Sequence, residues 1–404
     1  MGKPTADSSR AQLYMSEEVI WGEDPLLKSP RPKMKEVRFT GESLVHAQES
    51  VTSDEIRSDG QITDLVRVGV SATGDINYEL SYGTFDRFFE GLMRNDWTPE
   101  IDVNAGVGSP TASVTVTTNT GASTVDVPGA QFNSILIGSW IQISGSAIPA
   151  NNGYFLVTNN VAGLLTVTPG VTTEVLAMRV RGSHLKNGTT KKSYLIEKRL
   201  TDVSPLQFFY FTGMRVGSGS ATIAPGEILK GALSFMGKRG FAQSSISAGL
   251  TDSAAPATDV ANAVDNITNV KLDGVALVAD LTQITFDVNN NTRAKPAVAN
   301  LGNIDIGLGR FNVTGNITAY FSDRTLYDKY LAFSAHAWSF VVVVGIDSYL
   351  FNFPSIKFSN GTIVAEGNDG DIVANMDFQA RRSPTYGFTM SIDRFSGLQK
   401  QDLN

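Results

Sequence analysis

The chain contains no cysteine. That absence excludes disulfides, thiolate-held metals and thiol nucleophiles. Histidine is scarce too: His46, His184 and His336 stand far apart with no ligand spacing around them, so no histidine metal site is expected. No Gly-X-Ser-X-Gly elbow is present for an acyl-transfer serine. Long apolar runs are missing as well. The longest, Phe340-Val341-Val342-Val343-Val344, falls far short of the roughly 18 residues of a membrane-crossing helix and reads as one buried strand. Residues 1–31 are polar and charged, without the apolar centre of a signal peptide. Synthesis in a cytosol and no membrane insertion are therefore expected.

Charge is sparing, at 18% of residues against 42% hydrophobic, which places the chain among globular rather than disordered proteins. The net charge of −7 argues against a surface built to grip phosphates, though not against one that nucleic acid slides past. Two segments imitate chemistry and fail on detail. Gly231-Ala232-Leu233-Ser234-Phe235-Met236-Gly237-Lys238-Arg239 has one residue too many between its glycines for a phosphate loop. It also has Arg where Ser or Thr belongs, and it reads as a strand. Glu366-Gly367-Asn368-Asp369-Gly370-Asp371 is acidic but lacks the distal Glu of a calcium loop, so it reads as a turn. No catalytic constellation emerges, and neither enzymatic activity nor a cofactor is expected.

What the sequence does have is repetition. Val37-Arg38-Phe39-Thr40-Gly41-Glu42-Ser43-Leu44-Val45 is echoed by Val270-Lys271-Leu272-Asp273-Gly274-Val275-Ala276-Leu277-Val278. Thr73-Gly74-Asp75-Ile76 is echoed by Thr314-Gly315-Asn316-Ile317, and Phe85-Asp86-Arg87-Phe88-Phe89 by Tyr327-Asp328-Lys329-Tyr330-Leu331. Met214-Arg215 with Gly219 is echoed by Ile356-Lys357 with Gly361. The order is kept throughout, which points to one domain present twice.

The fold class expected is all-β with minor α. Residues 1–33 form an extended arm of the kind that docks on a neighbour. Residues 34–97 and 193–243 make the first repeated domain, and 264–397 the second. Residues 244–263, rich in Ala, Ser, Thr and Asp, are a linker, and 398–404 a tail. Residues 98–192, full of Thr, Val, Gly and Ser with short strand-like runs, are a small β-barrel or sandwich inserted at a loop. Its Trp140 and Tyr154 lie in those runs and read as core. Each repeat carries one helix. Phe85, Phe88, Phe89 and Leu92 form one helical face behind a Thr84 cap; Thr325 caps the second helix, with Tyr327, Tyr330 and Leu331 as its stripe.

Two groups of polar residues are candidates for a functional surface. Asp54, Glu55, Arg57 and Asp59 crowd a stretch too charged for a core. It is either a solvated loop or a contact loop whose mixed signs pair with a like neighbour. In residues 75–80, Ile76, Tyr78 and Leu80 share one face and leave Asp75, Asn77 and Glu79 on the other. In residues 371–380, Ile372, Ala374, Met376, Phe378 and Ala380 alternate with Asn375, Asp377 and Gln379.

Several segments together resemble the tail tube proteins of siphophages, the phages with long flexible tails. They are Arg38-Phe39-Thr40-Gly41-Glu42-Ser43-Leu44, Ser53-Asp54-Glu55-Ile56-Arg57-Ser58-Asp59 and Val70-Ser71-Ala72-Thr73-Gly74-Asp75-Ile76-Asn77-Tyr78-Glu79-Leu80-Ser81. Phe211-Thr212-Gly213-Met214, Ala224-Pro225-Gly226-Glu227-Ile228 and Asn152-Gly153-Tyr154-Phe155 add to them. The resemblance implies two tail-tube-type β-sandwich or barrel domains, each with one flanking helix. It implies rings of subunits joined edge to edge, stacked through loops around a lumen that passes phage DNA without specific binding. With the domain doubled, a homotrimer would give a pseudo-hexameric ring. Asp75, Asn77, Glu79, Asn375 and Asp377 become candidates to face the lumen, and Asp54, Glu55, Arg57 and Asp59 to join subunits or rings. Residues 1–33, 50–64 and 288–303 become contact segments that order on assembly. Tape measure, tail terminator and tail tip proteins are the implied partners, and the virion tail the implied location. The competing expectations are another tube-fold virion component, such as a tail terminator, and a β-rich adhesin.

Overall fold

The computed structural model describes residues 5–23, 33–104, 113–119, 122–128, 131–244, 252–277, 279–365 and 370–397. The first segment supplies β1 (Ala11–Glu17), β2 (Lys35–Val37), β3 (Gly41–Glu42), β4 (Val45–Thr52), β5 (Leu65–Glu79) and α1 (Asp86–Met93). Then come β6 (Ile101–Val103), β7 (Val114–Asn119), β8 (Ala122–Asp126), β9 (Trp140–Ser144), β10 (Gly153–Val161), β11 (Leu164–Thr168), β12 (Glu174–Leu176) and β13 (Arg179–Lys186). The chain returns as β14 (Tyr194–Leu200), β15 (Gln207–Ile223), β16 (Lys230–Gly237) and β17 (Arg239–Gln243). The second segment is β18 (Ile267–Leu272), β19 (Val275–Ala276), β20 (Leu281–Asn289), β21 (Arg293–Lys295), β22 (Asp305–Gly307), β23 (Asn312–Tyr320), α2 (Thr325–Ala332), β24 (His336–Val344), β25 (Asp347–Val364), β26 (Val373–Ala380) and β27 (Ser391–Phe395). The fold is mostly β, as expected.

Strand order in the two segments matches. β15 pairs with β14 and β17 through its first half and with β16 through its second. β25 pairs in the same way with β24 and β27, then with β26. Each long strand is interrupted by a bulge at the same place, between Val216 and Ser218 and between Phe358 and Asn360. A bulge bends a strand, so each leaves one sheet and enters another. β16 continues to β5 and β4, as β26 continues to β23 and β20.

The two inner sheets are one. The second half of β15 pairs with β20 over Ser218–Asn289 to Ile223–Ile284. The ladder therefore runs β4–β5–β16–β15–β20–β23–β26–β25 across both segments. Its buried face, including Ile76, Tyr78, Leu233, Phe235, Phe286, Ile317, Met376 and Phe378, packs with Trp338, Phe340, Phe351 and Phe353 of the second outer sheet in one core. Such two-layer packing is how a sheet with one apolar face is stabilised. A cavity of about 30 Å³ remains where the segments meet, lined by Leu92, Phe286 and Phe340 among others.

The helices sit on this core close to the inner sheet. Phe85, Phe88, Phe89 and Leu92 are buried as the periodicity predicts. The capping expectation fails. Thr84 is buried with its hydroxyl taken by Ser81 at 2.9 Å, and Phe85 is the N-cap without a side-chain bond. In α2, Arg324 is the N-cap, and Asp323 Oδ1 accepts from the Thr325 amide at 2.7 Å. Starting at Thr325, this helix buries Leu326 and leaves Leu331 exposed. A glycine lies beneath each helix. A Cβ on Gly219 would lie 2.7 Å from Leu92, and one on Gly361 2.9 Å from Tyr330. Both helices run eight residues and end on a left-handed C-cap, Arg94 and Phe333, so Leu92 matches Leu331, and the helical echo read from sequence is displaced by three residues.

The arm differs from expectation in its described part. β1 pairs with β14 of its own chain and with β2, and Leu13 and Met15 enter the core. Two apolar side chains on one face of an extended run supply the reason. Residues 105–112, 245–251, 366–369 and 398–404, and the rest of the arm, lie outside the described residues.

Strands β6–β13 enclose their own core of Val103, Val116, Phe132, Ile141, Phe155, Val180 and others. β13 then continues into the second segment by pairing with β27. Trp140 and Tyr154 are not in the inserted core. They pack on Val341, Leu350 and Phe395, and Tyr154 Oη shares a hydrogen bond with Ser348 at 2.9 Å. Period-two geometry explains this: Ile141, Ile143 and Phe155 point inward, so Trp140 and Tyr154 must point out. Residues 340–344 are consequently covered on both faces, by the main core and by the inserted strands.

Candidate assembly surfaces

The exposed face of the inner sheet gathers the polar residues of both segments. Asp75 stands opposite Ser234, Asn77 opposite Ala232 and Glu79 opposite Lys230. Ser218, Ser220 and Thr222 stand opposite Asn289, Asp287 and Thr285. Asn375 and Asp377 stand opposite Thr318 and Asn316. Residues opposite one another in a ladder point to the same side, so Asp75, Asn77, Glu79, Asn375 and Asp377 share one face across the segment boundary. Asp75, Asn77, Asp287 and Asn375 are exposed; Glu79 and Asp377 are half-buried. Asn316 Nδ2 donates to Asp377 at 2.7 Å and also to Asn375, while Asn360 donates to Asp377 at 3.2 Å. With Asp75, Glu79, Asp287 and Asp377 on it, set against Lys230, this face is acidic. The inserted strands pack on the outer sheet of the second segment, across the core from this face.

The charged loop projects between β4 and β5. Asp54, Glu55, Arg57 and Asp59 are all exposed. Arg57 donates to both carboxylate oxygens of Asp59, at 3.0 and 2.8 Å, and that bond holds the Asp59 carboxyl below its ordinary range. The arginine is thus paired within its own loop. Exposed apolar side chains flank it: Val51, Ile56, Ile62, Leu65, Val66 and Val68. Exposed apolar surface of this extent on a protruding strand pair is the kind of feature that marks interaction sites.

The corresponding loop of the second segment is docked within the chain. Asp305 receives Arg215 at 2.6 Å, Lys191 at 2.8 Å and Lys295 at 3.1 Å. Burial alone would raise its carboxyl; the three cations outweigh burial and hold it well below the usual carboxylate range. The Val70 amide donates to the Leu301 carbonyl at 2.9 Å.

Sequence reasoning missed the residues that lock the segments together. Asn290 is fully buried. Its side-chain amide donates to the Leu92 and Val216 carbonyls, both at 3.0 Å. Arg94, the left-handed C-cap of α1, donates to Asn290 Oδ1 at 2.6 Å, to its carbonyl at 2.7 Å and to Gly309 at 2.9 Å. The Asn290 amide satisfies the Leu92 carbonyl at the end of α1, which would otherwise be orphaned. Farther along, Asp86 of α1 accepts from Arg394 Nη1 at 2.5 Å and from the Tyr349 hydroxyl. No local pattern marks any of these; only the run Asn289-Asn290-Asn291 was a visible hint.

The histidines are used structurally. His184 Nδ1 lies 2.7 Å from Asp393, His336 Nδ1 2.8 Å from Asp273, and His46 Nδ1 accepts from the Gly240 amide at 3.0 Å. Burial would raise the Asp273 carboxyl, but Lys329, His336 and the Ala337 amide bring it below its ordinary value. Among the described residues, no group of three or more carboxylates and histidines is placed to hold a metal. No helix among them is long and apolar enough to cross a membrane.

Compared with known proteins, the chain matches a family model described as "Phage tail tube protein" over residues 8–380. A search of curated proteins finds no match.

Proposed function

The chain belongs to the phage tail tube protein family, and from that premise we propose that it is the major tail tube subunit of a siphophage. It is a structural component of the phage tail, built to assemble with copies of itself. In this reading residues 34–97 with 193–243 form one tube unit and residues 264–397 a second. Residues 98–192 are inserted into the first, and 244–263 link the two. Three chains close a ring with six units, and rings stack through the loop bearing Asp54, Glu55, Arg57 and Asp59.

The observation that carries the reading is the inner sheet, which runs without a break from one segment into the other. Joining two units edge to edge inside one chain is the same operation that joins chains into a ring. A closed ring removes the free strand edges that soluble proteins otherwise protect. The acidic face, with Asp75, Asn77, Glu79, Asn375 and Asp377, turns to the lumen. Like charge keeps phosphates from sticking as phage DNA is ejected. The inserted strands, on the far side of the core, decorate the exterior.

The mechanism is passive. Subunits made in the host cytoplasm add to a growing tail with tape measure, tail terminator and tail tip proteins, and the finished tube conducts DNA. Electron microscopy of the purified chain at high concentration, with its abundance in purified virions, tests this. Tubes and high abundance support it. A chain that stays monomeric and is scarce in virions contradicts it.

A further inference from the structure

The strand order leaves two free edges on the inner sheet. β4 pairs only with β5 among the described residues, and the second half of β25 only with β26. These edges correspond to the two that already meet inside the chain. β25 matches β15 by bulge position and by the glycine under the helix, Gly361 for Gly219. β4 matches β20 through its partner. Val45 stands opposite Thr73, and Asp287 opposite Thr314, the first residues of the two Thr-Gly echoes.

We infer that the free edge of β25 in one copy pairs antiparallel with residues 42–47 of a second copy, in the register of the internal seam. This rests on the tube reading and deepens it from edge contact to a defined ladder. Inside the chain, Ser218 stands opposite Asn289, Ser220 opposite Asp287 and Thr222 opposite Thr285. Between chains, Asn360 therefore stands opposite Ala47, Thr362 opposite Val45 and Val364 opposite Ser43. The surface fits that partner. Val45 and Val364 are 50% and 52% exposed, and Thr362 and Ser43 are exposed with them, so two apolar side chains along the edges lose solvent on pairing.

The two seams differ in their locks. The position matching Asn290 is Gln48, and the left-handed cap matching Arg94 (φ 56) is Phe333 (φ 48). Phenylalanine cannot make the guanidinium bonds that hold the internal seam, so the seam between chains opens before the internal one.

The test uses the full-length chain, which has no cysteine of its own. Three double variants are made: Thr362→Cys with Val45→Cys, Thr362→Cys with Ala47→Cys as a register slipped by two, and Ser220→Cys with Asp287→Cys as an internal control. Opposed side chains in a ladder lie within disulfide reach, and slipped ones do not. Each is assembled, viewed by electron microscopy, oxidised and run without reductant. The first pair is expected to link chains into multiples, at least about tenfold more than the slipped pair. The internal pair is expected to close within one chain. Tubes in which the slipped pair links as well, or the first pair not at all, overturn the register and leave the tube reading standing. A wild-type chain that does not assemble, together with a Thr362→Cys, Val45→Cys variant that forms no link between chains, overturns both.

Discussion

Gly219 of β15 faces Val288 of β20 across the seam between the two segments, and Leu92 of α1 lies directly over it. A side chain at this glycine has no room. Gly219→Val is expected to force Leu92 aside and to destabilise the chain by about 1–3 kcal/mol, the usual cost of overpacking. Urea unfolding measures it. A variant as stable as wild type would show that helix and seam are not in contact.

Asp86 and Arg394 make a second link. Asp86→Asn leaves a largely buried guanidinium without its carboxylate, which costs about 3–5 kcal/mol. Asp86→Asn combined with Arg394→Met removes both charges and is expected to be less destabilised than Asp86→Asn alone. Equilibrium unfolding of the set checks this, and a double variant at least as unstable as the single one contradicts it.

Asp305 gives the account a pH dependence. Its folded carboxyl sits below the ordinary range because Lys191, Lys295 and Arg215 outweigh burial. A depressed folded value means the unfolded chain binds the proton more tightly. The stabilisation is thus fully present above the unfolded value of about 4 and is lost as pH falls through the folded one. Asp305→Asn is expected to be destabilised at pH 7, with the gap to wild type narrowing in acid. A gap independent of pH would remove the carboxylate from the explanation.

In the proposed function the charged loop serves stacking rather than folding. Removing residues 53–64 leaves every core residue in place, so the circular dichroism spectrum and unfolding midpoint should hold while tubes fail to form. Normal tubes from this chain would refute the loop's role.

Much of this was legible in sequence, for a simple reason. Period-two alternation in β5 and β26 fixes which side chains are wet, so the face with Asp75, Asn77, Asn375 and Asp377 could be read directly. The short strands between residues 101 and 186 were legible as well, because that stretch is rich in Thr and Val broken by turn residues. Pairing between distant strands was not: nothing local to residues 218–223 says that they meet residues 284–289. Asn290 and Arg94 act through the ends of other elements, which no periodicity records. The α2 register was misread because Leu326, Tyr327, Tyr330 and Leu331 supply an apolar stripe in either of two phases. The same parity that buries Ile141 and Phe155 in the inserted core could have shown that Trp140 and Tyr154 face outward.

In the proposed function the polar face lines the path of the DNA, so its charge should govern ejection. Asp75→Lys, Asp287→Lys and Asp377→Lys together should leave tubes intact but slow DNA ejection, more so at low salt, because cations along the path hold phosphates. Ejection kinetics from otherwise normal virions measure it. Unchanged rates at every salt concentration would place this face away from the DNA.

The most direct test of the account is a cryo-electron microscopy reconstruction of the assembled tube, resolved well enough to trace strands in cross-section. Three chains per ring are expected, with one closed sheet around the lumen and Asp75, Asp287 and Asp377 turned inward. Six chains per ring, or a lumen lined by the helices or the inserted strands, would contradict it.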